Sequence, residues 1–324
     1  MPPWPTPPGA AGLSGRRQLL AQALGWPLAA LAGCAAPWPD VPSGPGSSSA
    51  LARLQESAAA HGLVAWRLVR DLNLGLRQET GSPAGGAAGG LQLRWLPAQR
   101  LLAWHDAGLA LPQQGWRRWA DAATESPGAD RGELRLWQAG QVVGDPALLL
   151  AAARQADLLA LLLLGPMGLA QARQPVNWAE PATLDGRRCD QLTLDLLPGL
   201  GGLGASRLAL FIDRDAGLMR RLRVMSIAEQ GQPGAMAATW DLPEPTQLHG
   251  VQWPRRCLRV APPRSPGQTP AAWRLVGLDL NRGYAASALS GAQFSSVAAA
   301  PATALPDRAS PSLSNPPPIR TNST

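Results

Sequence analysis

The chain has 324 residues, including 35 Gly and 33 Pro, and both ends are of low complexity, so a single folded domain of modest size is expected in the middle. The formal net charge of +7 is carried by arginines scattered along the chain with no recognition module beside them, which argues against a nucleic-acid binder. Contact of that basic surface with an anionic membrane stays open. The 13 Trp against 1 Tyr and 2 Phe, with no Lys at all, read as codon bias, and no function is drawn from them.

Arg16 and Arg17 precede an apolar run from Leu19 to Gly33 that Gln22, Gly25 and Pro27 interrupt. The run falls short of the roughly 20 apolar residues that span a bilayer core. A charged start, an apolar middle and a small-residue exit describe a secretory signal over residues 1–33 that is cleaved. Leu31-Ala32-Gly33-Cys34 resembles the lipobox of bacterial lipoproteins, which implies that Cys34 is acylated and anchors the protein. Arg16-Arg17 followed by Gln18-Leu19-Leu20 resembles a twin-arginine export signal, with the basic start of a general secretion signal as an equal alternative. Residues 34–49, rich in Pro, Gly and Ser without a period, form a flexible tether. Ala35 directly after the cysteine resembles lipoproteins sent to the outer membrane.

Cleavage leaves Cys189 and Cys257 as an even pair in an oxidising compartment, so a disulfide is open. Strand parity places Cys189 with Gln191, Thr193 and Asp195, and Cys257 with Arg255 and Arg259, both toward the polar side of a sheet. In a simple meander those strands are not neighbours, whereas a bridge needs Cα atoms less than about 7 Å apart.

Along the middle, residues 50–61 favour helix, with Leu51, Leu54 and Ala58 on one stripe and Gly62 as the stop. Leu72, Leu74 and Leu76 then alternate with polar or small residues, as do Leu91, Leu93 and Trp95 after a Gly-rich turn, the pattern of a sheet buried on one face. Further short strands are expected at 101–104, 108–111 and 133–137. Asp145 can cap a helix and Pro146 can open it, so a helix is expected from there to about Leu163, stopped by Gly165-Pro166. Arg154 and Asp157 give it a small polar face; Leu158, Leu159 and Leu161 to Leu164 make it apolar on all sides, so something must cover it. From Arg187 the chain reads as an antiparallel meander: Leu192, Leu194 and Leu196; Leu208, Leu210 and Ile212; Leu222 and Val224; Met236, Ala238, Trp240 and Leu242; then strands near 251–260 and 271–280. Beyond about Val297 the Ala, Pro and Ser composition is that of a disordered tail.

"AHGLVAW", "LDGRRCDQLTL", "LALFIDRDAGLMRRLRV" and "LHGVQWPRRCLRV" resemble successive segments of the LolA/LolB-like superfamily of envelope lipoprotein carriers. The resemblance covers about residues 50–285, within a domain drawn at 50–296 and followed by a tail at 297–324. It implies an α+β fold, an unclosed antiparallel half-barrel whose apolar concave side is covered by helices and, in the carriers, accommodates acyl chains. Carried over, Leu72, Leu74, Leu76, Leu91, Leu93, Trp95, Leu192, Leu194, Leu208, Leu210, Ile212 and Trp240 line the concavity, and the helix from Pro146, with Leu159, Leu162 and Leu163, belongs to its lid. The long N-terminal extension and the Pro-rich tail depart from the carriers.

Other motifs are weaker. "GLGGLG" at 199–204 fits a dinucleotide fingerprint by letters, but the next segment reads as a strand, where the pyrophosphate needs a helix N-terminus, so a hairpin loop is expected and no cofactor. His61, His105 and His249 have no partner at metal spacing. His105 and Asp106 are adjacent and on a strand face opposite ways. Asp213 and Asp215 break calcium-loop spacing and fit a hairpin turn. With no G-x-S-x-G elbow or nucleophile motif, no catalytic residue is assigned. The leading reading is therefore a lipid-anchored envelope protein that binds an apolar ligand, an acyl chain or a lipoprotein. The rival is an interaction lipoprotein whose barrel is filled by its own side chains, and a hydrolase with scattered groups comes third.

Overall fold

A computed structural model describes residues 46–79, 90–107, 109, 111–119, 132–170, 175–196, 206–226, 236–260 and 272–289. The signal residues Arg16, Arg17, Leu31, Ala32 and Gly33, the lipidation candidate Cys34, the glycine-rich loop at 199–204 and the tail lie outside them.

Two helical pieces come first, α1 (Ser48–Ala60) and α2 (Leu63–Trp66). The Ser47 hydroxyl caps α1 by accepting the Ala50 N–H, and Gly62 ends it in the left-handed region at φ 90°. No other residue fits there, since a Cβ on Gly62 would stand 2.1 Å from the Gly250 carbonyl oxygen.

An antiparallel meander follows: β1 (Leu72–Glu79), β2 (Gly90–Leu96), β3 (Leu101–Asp106), β4 (Gln113–Trp119), β5 (Gly132–Gln138) and the short β6 (Gln141–Val142). The strand expected at 108–111 lies instead at Gln113–Trp119. Its inward positions are Gly115, Arg117 and Trp119, so it lacks the aliphatic alternation that marks its neighbours. Helix α3 (Pro146–Leu169) then leads to the second meander, β7 (Val176–Leu184), β8 (Arg187–Leu196), β9 (Ser206–Asp213), β10 (Met219–Ser226) and β11 (Met236–Asp241). A hairpin of β12 (Pro245–Leu248) and β13 (Val251–Pro254) stands apart from the large sheet; β14 (Arg256–Arg259), β15 (Ala272–Leu280) and a helical turn, α4 (Ala286–Leu289), close the described chain.

The 13-stranded sheet has the order β6-β5-β4-β3-β2-β1-β15-β14-β11-β10-β9-β8-β7, with antiparallel pairing throughout. The last strands thus join the two meanders, and β6 and β7 remain as open edges. Because α3 connects those two edges, it has to cross the face of the sheet. At about 1.5 Å per residue the stretch from Pro146 to Leu164, ahead of a break at Gly165, reaches roughly 28 Å.

Register explains the core. Leu192, Leu210, Leu222 and Trp240 stand side by side on four neighbouring strands, and Leu194, Leu208 and Val224 form the next row. In the other half, Leu74, Leu93 and Trp104 form one row and Leu72, Trp95 and Leu102 another. All of these side chains belong to one buried cluster, which the apolar residues of α1 and α3 complete. On the opposite face a smaller cluster of Leu96, Leu101, Ala103, Trp116, Trp137 and Leu289 lies beneath α4.

Candidate functional site

Every residue assigned to the concavity is buried in the main cluster: Leu72, Leu74, Leu76, Leu91, Leu93 and Trp95 from the first meander, Leu192, Leu194, Leu208, Leu210, Ile212 and Trp240 from the second, and Leu159, Leu162 and Leu163 from α3. None exceeds 7% exposure, so the concave side is dry and in contact with the helix.

Asp145 caps α3, accepting the Ala147 N–H at 2.8 Å, and Pro146 opens its first turn. The helix stops where expected, at Gly165-Pro166. Gly165 adopts φ 39° and ψ −119°, kinking the axis, and a second helical segment resumes with Pro166 in its first turn and runs to Leu169. A Cβ on Gly165 would lie 2.6 Å from the Met219 terminal methyl, so β10 approaches closely at the kink. The helix is long and apolar enough to cross a membrane, with a mean hydropathy of 1.9 over its best window, yet here it packs on α1, β4, β5, β10 and β13.

The helix carries one buried charge. Asp157 is fully buried, and its Oδ1 accepts the Trp119 indole N–H at 2.7 Å and lies 3.7 Å from the Arg117 Nε. Arg117 is 1% exposed and occupies the inward row that Trp95 and Leu102 share. Beside it the indoles continue: Trp119 stacks on Trp95 at 5.4 Å, Trp95 meets Trp66 edge-on at 6.3 Å, and Trp66 meets Trp253 at 6.0 Å. Neither the ion pair nor this aromatic row was visible in the sequence, since residues distant along the chain build both.

At the kink, His61, Leu162, Gly165, Met219 and Trp253 border a cavity of about 20 Å³, room for about one water. His61 joins two elements, its Nδ1 2.8 Å from the Ser57 carbonyl and its Nε2 accepting the Met219 N–H at 3.3 Å. Burial outweighs the Ser57 hydrogen bond, and with the nearby Arg220 charge it holds the imidazole pKa below its ordinary value of 6.5.

The remaining sequence candidates lie elsewhere. His105 and Asp106 are consecutive on β3 and face opposite ways, and His249 sits in the β12–β13 turn at φ 52°. Asp213 shapes the β9–β10 turn by accepting the N–H groups of Asp215 and Ala216. Burial pushes its carboxyl up, but those N–H groups and the Arg220 guanidinium prevail and hold it below the usual carboxylate range. On the convex face, paired charges clothe the sheet, as in the two-pronged contact of Arg207 with Asp195 at 2.7 and 3.0 Å.

Cys189 and Cys257 are both free thiols. Cys189 packs on the convex face with Ala209 and Phe211, as its parity predicts. Cys257 corrects the expectation of a polar-facing residue, because it points into the main core opposite Trp273. Its parity is that of Val251 and Trp253, both buried; the arginines that share it, Arg255 and Arg259, stand at the bend before β14 and at its last residue. Burial pushes the Cys257 thiol pKa up to about 12.

An open antiparallel sheet with two free edges and an apolar helix laid across one side is an unclosed half-barrel with covering helices, the α+β class expected. No protein-family model and no curated protein sequence matches the chain. Among solved structures it is similar to a DUF1329 family protein from Desulfovibrio piger, at 8% identity and a TM-score of 0.49, over 75% of this chain and 98% of that one. It is also similar to a putative outer membrane lipoprotein-sorting protein domain from Vibrio parahaemolyticus, at 10% identity and a TM-score of 0.44, over 74% and 95% of the two chains. A LolA superfamily protein from Nitrosomonas europaea aligns at 10% identity and a TM-score of 0.39, over 75% and 97%. The likeness is one of fold.

Proposed function

We propose that this chain is a cell-envelope protein, exported by the signal at residues 1–33 and anchored through acylated Cys34, whose half-barrel takes up an apolar ligand, an acyl chain or the acylated end of a lipoprotein, in exchange for α3. The observation that carries this reading is α3 itself. It is apolar over most of its circumference, lies against a wall that is apolar apart from a few polar groups such as Arg117, and is broken at Gly165. An acyl chain offers that wall the same kind of surface. A second reading, an interaction lipoprotein with a self-filled barrel, is favoured by the cavity of only about 20 Å³.

Native mass spectrometry of the protein purified from cells in mild detergent separates the two. Lipid-sized adducts, together with uptake of a fluorescent fatty acid, support the carrier reading. A clean apo mass and no uptake refute it in favour of the self-filled barrel. Labelling with palmitate tests the anchor, which fails if Cys34→Ala is labelled as strongly as the parent.

A further inference from the structure

We propose that His61 is a pH-sensitive latch on the mouth of the trough: the neutral imidazole holds the first residue of β10 against the kink of α3, and its protonation opens that end to an apolar ligand. The inference rests on the reading that the half-barrel takes up such a ligand, and it names the place of entry and its control. The cavity at the kink reaches the surface, because Pro245 on its rim is exposed and Leu218, Gln252 and Pro254 are half-buried. Three elements are tied there to one residue. The carbonyl of His61 accepts the Gln252 N–H of β13 at 2.9 Å, its Nε2 accepts the Met219 N–H of β10 at 3.3 Å, and the Ser57 carbonyl of α1 lies 2.8 Å from its Nδ1.

The direction of those bonds makes the contact depend on protonation. A backbone N–H only donates, so Nε2 must present its lone pair to Met219, and the ring proton sits on Nδ1, donated to the Ser57 carbonyl. A protonated ring carries an N–H on both nitrogens, and Nε2 then sets a donor against a donor. His61 is held by the end of α1 and through Gln252, whereas Met219 is the first residue of its strand and stands beside a register shift, so Met219 gives way. Its terminal methyl lies in the space that a Cβ on Gly165 would need, and its departure loosens the packing at the kink. The groups around the ring do not titrate in the same range. Ser57 on α1, Leu162 to Gly165 on α3, Pro245 on β12, and Gln252 and Trp253 on β13 are not ionisable. β10 presents Arg220, paired at 3.2 Å with Asp213, whose carboxyl is held below the usual carboxylate range and stays charged. A second positive charge beside Arg220 adds repulsion to the lost hydrogen bond.

Hydrogen–deuterium exchange of the full chain at pH 7.5 and 5.5, corrected for the intrinsic effect of pH on exchange, tests the latch without any ligand. Amides of Met219, Arg220 and the part of α3 from Leu162 to Leu169 are expected to lose protection at pH 5.5, while those of β8 and β9 keep it. An imidazole released from the contact returns to its ordinary pKa of 6.5, so the open population gains at most about tenfold between the two pH values. In parallel, stopped-flow uptake of N-phenyl-1-naphthylamine, a probe uncharged at both pH values, is expected to quicken about three- to tenfold. His61→Gln, whose side-chain oxygen can still accept the Met219 N–H and which leaves His105 and His249 in place, is expected to show neither change. The parent at two pH values is its own comparison, so the result does not depend on how well the variant folds. Protection lost evenly across the sheet, no change at Met219, or the same response in His61→Gln would overturn the latch. Probe uptake at one rate at both pH values would overturn the latch and leave the uptake reading standing, whereas no uptake at either would remove both.

Discussion

Replacing Gly165 by alanine tests whether the kink in α3 is required by the close approach of β10. At φ 39° and ψ −119° the backbone lies outside every region open to a residue with a Cβ, a strain of about 1–3 kcal/mol. The added Cβ would also stand 2.6 Å from the end of Met219, a flexible side chain that can give way at about 1 kcal/mol. Reduced freedom of the unfolded chain returns about 0.4–1 kcal/mol, so a net loss of about 2 kcal/mol is expected. Gly168→Ala, three residues along the same helix, is the control. Its Cβ would meet only Leu164 at an ordinary 3.6 Å, and the better helix former stabilises by about 0.5 kcal/mol. Urea denaturation followed by tryptophan fluorescence reports both. A Gly165→Ala variant within about 0.5 kcal/mol of the parent would refute the reasoning, because that is the scale of a substitution that touches nothing.

Leu210→Ala, fully buried between Leu192 and Leu222, is expected to lose about 2–5 kcal/mol in the same assay, whereas Arg207→Ala, in its partly exposed surface pair with Asp195, loses about 1 kcal/mol or less. His61 makes stability depend on pH. Its folded pKa is depressed, so the unfolded chain takes up a proton first, and stability declines as pH falls from about 6.5 toward the folded value. Chemical denaturation at pH 7.5 and 5.5 should show that decline in the parent and lose it in His61→Gln; Asp213 and Glu79, also depressed, act only nearer pH 4. Alkylation under non-reducing conditions should modify both Cys189 and Cys257 once the chain is unfolded. In the native state Cys257 should react far more slowly, its thiol pKa of about 12 leaving roughly one part in ten thousand as thiolate at pH 8.

The aliphatic strands were legible because a sheet buried on one face imposes a period of two, and leucine at alternate positions satisfies it without exception from Leu72 to Leu76 and from Leu192 to Leu196. The start of α3 was legible through Asp145 and Pro146 and its break through Gly165-Pro166, but the short helical segment that follows was not. Those two residues usually end a helix, and only the packing of Met167 and Leu169 into the core favours resumption. β4 escaped because its inward residues, Gly115, Arg117 and Trp119, answer to neighbours that the sequence does not announce. Trp104 on β3 fills the space beside Gly115, and Asp157 balances Arg117. Cys257 was misplaced because the arginines that share its parity, Arg255 just before β14 and Arg259 at its end, disguised its inward direction. The inward, buried rows of the sheet were therefore readable, and the charge buried among them was not.

Hydrogen–deuterium exchange of the full chain with and without laurate addresses the exchange of helix for ligand most directly. The account predicts that amides of Pro146–Leu169 lose protection on ligand binding while those of β8, β9 and β10 keep it. Ligand binding with α3 as protected as before, or protection lost evenly across the sheet, would contradict it.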